Sequence, residues 1–67
     1  MWFDGNDVWL DNKIEKSQIV EMLNAEGKIL QKILASPGKN KIELDNVPAS
    51  LLLIRATGTG KFLKVIR

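Results

Sequence analysis

Short runs in which apolar and polar residues alternate are the main pattern of the chain, and they predict β-strands. In residues 7–11, Val8 and Leu10 alternate with Asp or Trp, and residues 41–45 repeat the same period of two. Gly, Pro, Asn and Asp residues flank both runs, as is typical of turns. We therefore predict a strand in each run and a loop over residues 34–40, LASPGKN.

The last third of the chain adds two further predicted strands. Residues 51–56, LLLIRA, are apolar on both faces apart from Arg55, which favours a strand in the middle of a small sheet. Residues 61–67, KFLKVIR, mix β-branched and aromatic residues with three cations and also favour a strand. Because several short strands are separated by turn residues, the leading fold class is an all-β sandwich or barrel fragment.

Residues 17–35 fit two different structures. Their apolar residues fall near a helical stripe, Ser17 could cap the start of a helix, and Pro37 could follow its end. The alternative fold class is therefore α/β, with a helix at about 17–35 packed on a β-meander. Gly27 argues against the helix, because an interior Gly costs about 1 kcal/mol relative to Ala.

A β-hairpin uses the same residues without that cost. Asn24 would begin the turn, and Gly27 would take the left-handed conformation. Apolar residues would then face each other across the two strands, with Leu23 opposite Ile29, Met22 opposite Leu30, and Ile19 opposite Ile33. From these residues alone, the hairpin is only slightly favoured over the helix.

The composition limits the chemistry that the chain can perform. Its 67 residues, 45% of them hydrophobic, suffice for a single domain, 1–67, with one small core. Neither His nor Cys occurs, which excludes disulfides and zinc sites built on thiolate or imidazole, and leaves few groups suited to catalysis. The N-terminal carboxylates lack the spacing of an EF-hand calcium loop. We therefore expect no enzymatic activity, no cofactor and no metal.

The charge is small in total but uneven along the chain. The formal net charge is +2, and residues 1–15 carry −3 (four carboxylates and one lysine), so residues 16–67 carry +5. A spaced basic ending of Lys61, Lys64 and Arg67 fits either an acidic partner or a soluble edge strand. No apolar run reaches the roughly 18 residues of a transmembrane helix, and no export leader opens the sequence. If the domain acts outside the cytoplasm, we expect it to travel as part of a longer protein or to carry its address elsewhere.

A series of short motifs runs from residue 19 to residue 67. The first motifs are a strand and turn with Asn24, Gly27 and Leu30, a Gly-Lys-Asn opening at Gly38 and Asn40, and an alternating strand with Ile42 and Leu44. They are followed by a turn of Val47, Pro48 and Ala49, an apolar strand from Leu51 to Ala56, and a basic strand with Lys61, Lys64 and Arg67. In this order and spacing, residues 19–67 resemble the C-terminal sorting domains, type A-like, of proteins exported by the bacterial type IX secretion system.

The sequence departs from that family at three points. Ser50 stands where the family usually has Gly, and Leu52 stands where it usually has an aromatic residue. The Pro-Asn-Pro stretch that often opens these domains is missing. Residues 1–18 therefore remain an unassigned N-terminal strand region.

The resemblance implies both a fold and a function. Domains of this family are immunoglobulin-like antiparallel β-sandwiches, so the resemblance favours the hairpin at Gly27. They act as targeting signals and have no catalytic activity. The outer-membrane translocon exports the cargo protein that precedes the domain, and a sortase-like peptidase usually removes the domain. The implied location is outside the cell or on the outer-membrane surface, reached through the periplasm.

The resemblance also implies roles for particular residues. Lys61, Lys64 and Arg67, with the terminal carboxylate, are the expected recognition surface. Turns are expected to depend on the residues Asn24, Gly27, Gly38 and Pro48. An accessible last strand can accept another strand, so a dimer through the edge strand is a further expectation.

A second functional class rests on the aromatic residues near the N-terminus. Trp2, Phe3 and Trp9 could form a platform for sugar rings or a protein interface. The charge beside them is acidic, which argues against binding of nucleic acid. The alternative function is therefore a carbohydrate-binding or protein-interaction β-module.

Overall fold

Every regular element in the described part of the chain is a β-strand; the computed structural model describes residues 1–45, 47 and 50–67. The strands are β1 (Trp2–Phe3), β2 (Asp7–Asn12), β3 (Gln18–Leu23), β4 (Ile29–Ala35), β5 (Gly38–Glu43), β6 (Leu51–Ala56) and β7 (Lys61–Ile66). The predicted all-β class is confirmed. The alternative helix at 17–35 is wrong, because this segment forms β3 and β4.

The strands form two antiparallel sheets that pack against each other as a sandwich. The three-stranded sheet has the order β1-β2-β5, and the four-stranded sheet has the order β4-β3-β6-β7. The order is immunoglobulin-like except for the fourth strand. In constant-type immunoglobulin domains the fourth strand pairs with the fifth, whereas here β4 pairs with β3. β6 lies inside the four-stranded sheet, as its apolar sequence predicts, and β7 forms an edge.

The turn between β3 and β4 depends on Asn24 and Gly27. The Gly27 amide donates to the Asn24 carbonyl at 3.0 Å, and Gly27 has φ +85°, a region that glycine enters without strain. The Asn24 side-chain oxygen accepts from the amides of Glu26 and Lys28, at 3.0 and 2.9 Å. The hairpin prediction is confirmed, because the residues that are unfavourable in a helix build this turn.

The predicted pairing across this hairpin is correct beside the turn and wrong beyond it. Leu23 lies opposite Ile29, as predicted. The register then shifts, because β4 has one additional residue, Leu30, in a β-bulge. Each later partner is displaced by one position, which gives the pairs Met22 with Gln31 and Ile19 with Leu34.

The loop predicted over residues 34–40 is too long. β4 continues to Ala35 and β5 begins at Gly38, so only Ser36 and Pro37 connect them. Gly38 has φ +99°, and the Asn40 side chain donates to the carbonyls of Ser36 and Gly38 at 2.8 and 2.9 Å. A tight turn held by Asn40 therefore lets β5 begin before the alternating run on which its prediction rested.

The core fills the space between the sheets with alternate side chains from each strand. Nine large side chains are fully buried there: Val8, Leu10, Val20, Met22, Ile42, Leu44, Leu52, Ile54 and Val65. They include Val8 and Leu10 of β2 and Ile42 of β5, which the alternation in the sequence assigns to one face. Burial of these groups is the main favourable contribution to folding.

A buried polar network joins the two sheets at one end of the core. Asn12 is 2% exposed, and its side-chain nitrogen donates to the Ala35 carbonyl at 3.1 Å. Its oxygen accepts from the Gln18 side chain at 2.8 Å, and the Gln18 oxygen accepts from the Gly58 amide at 3.0 Å. The network connects β2, β3, β4 and the turn after β6, and the sequence analysis did not identify it.

Candidate functional site

The predicted recognition residues Lys61 and Lys64 lie on β7, the edge of the four-stranded sheet, but on opposite sides of it. Side chains alternate along a strand, so Lys61 shares the side of buried Val65. Lys64 lies on the outer side, opposite Leu53 of β6. Both lysines are exposed. The strand therefore presents two separate cations rather than one cluster.

Arg67 is held by the backbone near the start of β6. Its guanidinium donates to the Leu44 carbonyl at 2.9 Å and also to the Val47 carbonyl. Its amide donates to the Ser50 carbonyl at 2.8 Å. These bonds fasten the chain after β7 to the connection between β5 and β6, so Arg67 has a structural role that the two lysines lack.

The three N-terminal aromatic residues do not form a single platform. Trp2 of β1 lies opposite Trp9 of β2, and their rings are stacked with centroids 6.3 Å apart and an angle of 16° between the planes. Phe3 lies opposite Val8 and packs against the core. Only the Trp2–Trp9 pair therefore faces outward, on the three-stranded sheet.

Asp4 fixes the loop beside this tryptophan pair. One carboxylate oxygen accepts from the amides of Asn6 and Asp7 at 2.9 and 2.8 Å, and the other accepts from the Trp9 indole nitrogen at 2.8 Å. These bonds, the one from the Asp7 amide above all, lower the pKa of Asp4 from 3.8 to about 2. The pair and its loop are thus held by a carboxylate that stays charged down to acidic pH.

The outer face of the four-stranded sheet carries unusually large apolar side chains. Leu34, Ile66 and Phe62 are exposed to 70%, 68% and 56%. Ile19 and Ile29 are also exposed, and the alternation of their strands places all five on this face. A solvent-facing side of an antiparallel sheet is ordinarily polar, so this face departs from the usual pattern.

Four charged residues lie among these apolar side chains. In the middle of the face, the Glu21 carboxylate accepts from the Arg55 guanidinium, whose Nε donates at 2.9 Å. Glu21 is only 8% exposed, and the Lys32 amine is 4.0 Å from its second oxygen. Lys64 supplies the remaining charge, opposite Leu53. Three cations and one carboxylate give this face a net charge of +2.

The predicted turn residues that the structure describes lie at the ends of strands. Asn24, Gly27 and Gly38 occupy the two turns described above, and their geometry fits a conformational role. Pro48 lies outside the described residues. Among the predicted site residues that the structure describes, Trp2 is brought together with Trp9, and Asn24 with Gly27 within one turn.

Several kinds of site are missing from the part of the chain that is described. Residues 1–45, 47 and 50–67 contain no pocket and no group of three or more side chains able to hold a metal ion. Within the same residues, no helix is long and apolar enough to cross a bilayer. The candidate sites are therefore open surfaces: the outer faces of the two sheets and the edge strand β7.

Comparison with family models, with curated proteins and with solved structures found no match to this chain. Arguments about function therefore rest on the residues and their arrangement.

The outer face of the four-stranded sheet is the surface that the sequence analysis missed. Its signal was present, because the hairpin pairing set apolar residues on both faces of β3 and β4. An apolar outer side of a sheet is also a sign of an interaction surface.

Proposed function

We propose that the chain is a non-catalytic sorting domain that directs a cargo protein across the outer membrane by type IX secretion. The order of motifs in residues 19–67 supports this proposal, as does the β-sandwich that the resemblance implied. The observation that carries it is the basic final strand: β7 is an edge strand with exposed Lys61 and Lys64. An edge strand offers backbone groups and side chains to a receptor together.

In this proposal the domain is a folded targeting signal at the C-terminal side of its cargo protein. A component of the outer-membrane translocon reads β7, and the two lysines favour a receptor surface that carries carboxylates. A sortase-like peptidase then separates the domain from its cargo, which is released or stays at the cell surface. Arg67 contributes by fastening the end of β7 to the β5–β6 connection.

Export of a reporter protein fused in front of residues 1–67 tests this function in a bacterium with an active type IX system. Deleting β7 would be uninformative, because the deletion also removes buried Val65 from the core. The informative variant is Lys61→Gln with Lys64→Gln, since both side chains are exposed and their loss leaves the core intact. We expect surface delivery of the reporter by the unchanged fusion and at least a tenfold loss in this variant.

A matched control is Lys39→Gln with Lys41→Gln. These two exposed lysines lie on β5, an edge strand of the other sheet, so the control removes the same charge from an edge strand other than β7. Delivery should stay within about twofold of the unchanged fusion. Retention of the unchanged fusion in the periplasm would contradict the sorting function. Equal losses of surface delivery in both variants would argue against recognition of β7.

A second candidate function is carbohydrate binding, and the Trp2–Trp9 stack is the observation that favours it. Trp2 is 45% exposed, and nearly parallel indole rings on the outer face of a sheet can stack against sugar rings. Phe3 has no part in this platform, because it packs against the core. Lys41, opposite Trp9 on β5, would supply a hydrogen-bond donor beside the rings.

Tryptophan fluorescence during titration with soluble polysaccharides tests this candidate. Binding at the stack should shift the emission maximum, and Trp2→Ala should abolish the shift while the circular dichroism spectrum stays unchanged. No shift with any of a panel of plant and bacterial polysaccharides would count against a carbohydrate platform.

A further inference from the structure

The central strand of the three-stranded sheet, β2, is paired unequally on its two sides. β5 pairs with all six residues of β2, whereas β1 pairs with only two of them, Val8 and Trp9. Within residues 1–45, 47 and 50–67, no strand lies on the β1 side of residues 10–12. These three residues form the open edge of β2.

The backbone of Asp11 directs its hydrogen-bonding groups into this open edge. In an antiparallel pair, successive residues of a strand direct these groups to its two sides alternately. The Asp7 carbonyl accepts from the Asp4 amide at 3.1 Å, so Asp7 faces the β1 side. Trp9 and Asp11 follow at intervals of two and face the same way. A strand placed beside Asp11 therefore finds both a donor and an acceptor.

The chain itself leads into the open edge. Trp2 lies opposite Trp9, so the same register sets Met1 opposite Leu10. The Met1 side chain packs against the core, as does that of Phe3. Side chains two residues apart share a side of a strand, so these contacts fit an extended chain at Met1.

Continuing the register assigns positions to two further residues. The residue directly before Met1, the first preceding residue, lies opposite Asp11 and directs its amide and carbonyl towards β2. Its side chain shares the outer face with that of Asp11, which is exposed. The second preceding residue lies opposite Asn12, and its amide faces solvent. Its side chain continues the inward line of Met1 and Phe3.

The preceding chain is favoured over a strand from another molecule. It is attached to Met1 and therefore reaches the open edge without the loss of translational and rotational freedom that association costs. It also occupies the backbone positions that a separate strand needs. The geometry thus selects a covalently attached segment.

We infer that the segment preceding Met1 in an exported protein continues β1 along the open edge of β2, with a basic or polar side chain opposite Asp11 and an apolar one beside Asn12. This inference rests on the proposed function, in which a cargo protein precedes the domain. The junction between cargo and domain is then part of the sandwich. A peptidase that separates them must cut ahead of the paired residues, because proteolysis concentrates in exposed, unpaired chain.

Amide hydrogen exchange of the ¹⁵N-labelled protein with Gly-Ser-Val-Lys added before Met1 tests the inference. Lys is then the first preceding residue and Val the second. We expect the Asp11 amide to exchange at least tenfold more slowly than in the 67-residue protein. The α-protons of this Val and of Asn12 should show a nuclear Overhauser effect, because facing residues of a non-hydrogen-bonded pair have Cα atoms about 4.5 Å apart.

Two proline variants of the added segment form a matched pair. Proline in place of Lys removes the amide that donates to the Asp11 carbonyl, and should abolish the slow exchange at Asp11. Proline in place of Val removes an amide that faces solvent, where an edge strand tolerates proline, and should retain most of it. The Lys39 amide faces solvent at the opposite edge of the sheet, on β5, and should exchange at the same rate throughout.

Three results would overturn the inference. The first two are equal exchange of the Asp11 amide with and without the added segment, and equal exchange in both proline variants. The third is protection that increases with protein concentration, which would assign the open edge to a strand from a second molecule.

The exchange measurement involves no export, so this inference and the proposed function can fail separately. Slow exchange at Asp11 without delivery of the reporter would reject the sorting function and leave the pairing in place. Normal delivery with unchanged exchange at Asp11 would reject the pairing alone.

Discussion

The outer faces of the two sheets handle their apolar groups in different ways. On the three-stranded sheet, Trp2 packs on Trp9, and the Trp9 nitrogen donates to Asp4. On the four-stranded sheet, Leu34 and Ile66 remain about 70% exposed. On the first face, the large side chains contact each other and a neighbouring carboxylate. On the second face, the aliphatic side chains are exposed to water.

This difference indicates where a partner gains most from contact. A face whose groups already contact each other has less apolar surface to bury on binding. An uncovered aliphatic face with unbalanced positive charge has more, and its charge selects the partner. We therefore expect mutations on the outer face of the four-stranded sheet to affect binding more than folding.

The largest expected effect on stability compares a side chain on the inner side of the four-stranded sheet with one on its outer side. Leu52→Ala removes a fully buried side chain and should lower the free energy of unfolding by about 2–5 kcal/mol. Leu34→Ala makes the same change at a side chain that is 70% exposed, and should alter it by about 0.5 kcal/mol or less. Urea denaturation measures both. Equal losses would mean that Leu34 is covered in the folded protein.

The next effect tests how the two sheets are joined. Asn12→Ala leaves the Gln18 amide group and the Ala35 carbonyl without their buried partner, which should cost about 2 kcal/mol in the free energy of unfolding. Asn6→Ala removes an exposed amide group and serves as the control, with little change. If both variants unfold at the same urea concentration, the network does not hold the sheets together.

A smaller effect concerns the charged centre of the four-stranded face. Arg55→Met leaves the nearly buried Glu21 without its main partner and should cost about 1 kcal/mol, because the partly exposed site keeps some solvation. Replacing both residues by Met should recover most of this loss, since no uncompensated charge remains. Urea denaturation of the single and double variants forms the test, and a double variant weaker than Arg55→Met would contradict this explanation.

The smallest effect concerns the three-stranded face and depends on pH. Because folding lowers the pKa of Asp4 to about 2, its charged form contributes stability above about pH 4. That contribution is lost as the pH falls towards 2. Trp9 fluorescence should therefore change between pH 4 and pH 2 as the Asp4 bond to the indole breaks.

The matched variants for this titration are Asp4→Asn and Asp11→Asn. The first should lack the acidic fluorescence change, and the second, which alters an exposed carboxylate on β2, should retain it. An unchanged titration in Asp4→Asn would show that another group controls the indole environment.

The sequence was sufficient for β2, the β3–β4 hairpin, β6 and β7, but not for β1, the start of β5 or all of the pairings. Period-two alternation placed Val8 and Leu10 on one face, and Asn24 with Gly27 indicated the turn, because both signals are local. The bulge at Leu30 depends on how β4 fits against β3, so the predicted partners beyond Leu23 were displaced by one. The Asn12–Gln18 network joins segments that are distant in sequence, and no local pattern marks it.

The candidate sites were predictable to a similar extent. The basic ending was visible as a spacing of cations, but the spacing of three between Lys61 and Lys64 places them on opposite sides of a strand. The role of Arg67 depends on the position of the β5–β6 connection, which the sequence does not specify. Apolar residues on both faces of β3 and β4 were the available sign of the uncovered outer face.

Surface delivery of a reporter by two face variants tests the central claim that partners read the four-stranded sheet rather than the three-stranded sheet. One variant combines Ile66→Ser with Lys64→Gln, and the other combines Trp2→Ser with Lys41→Gln. Circular dichroism must first establish that both variants are folded. We predict at least a tenfold loss of delivery in the first and little change in the second, whereas an equal loss in both, or a loss in the second alone, would contradict the claim.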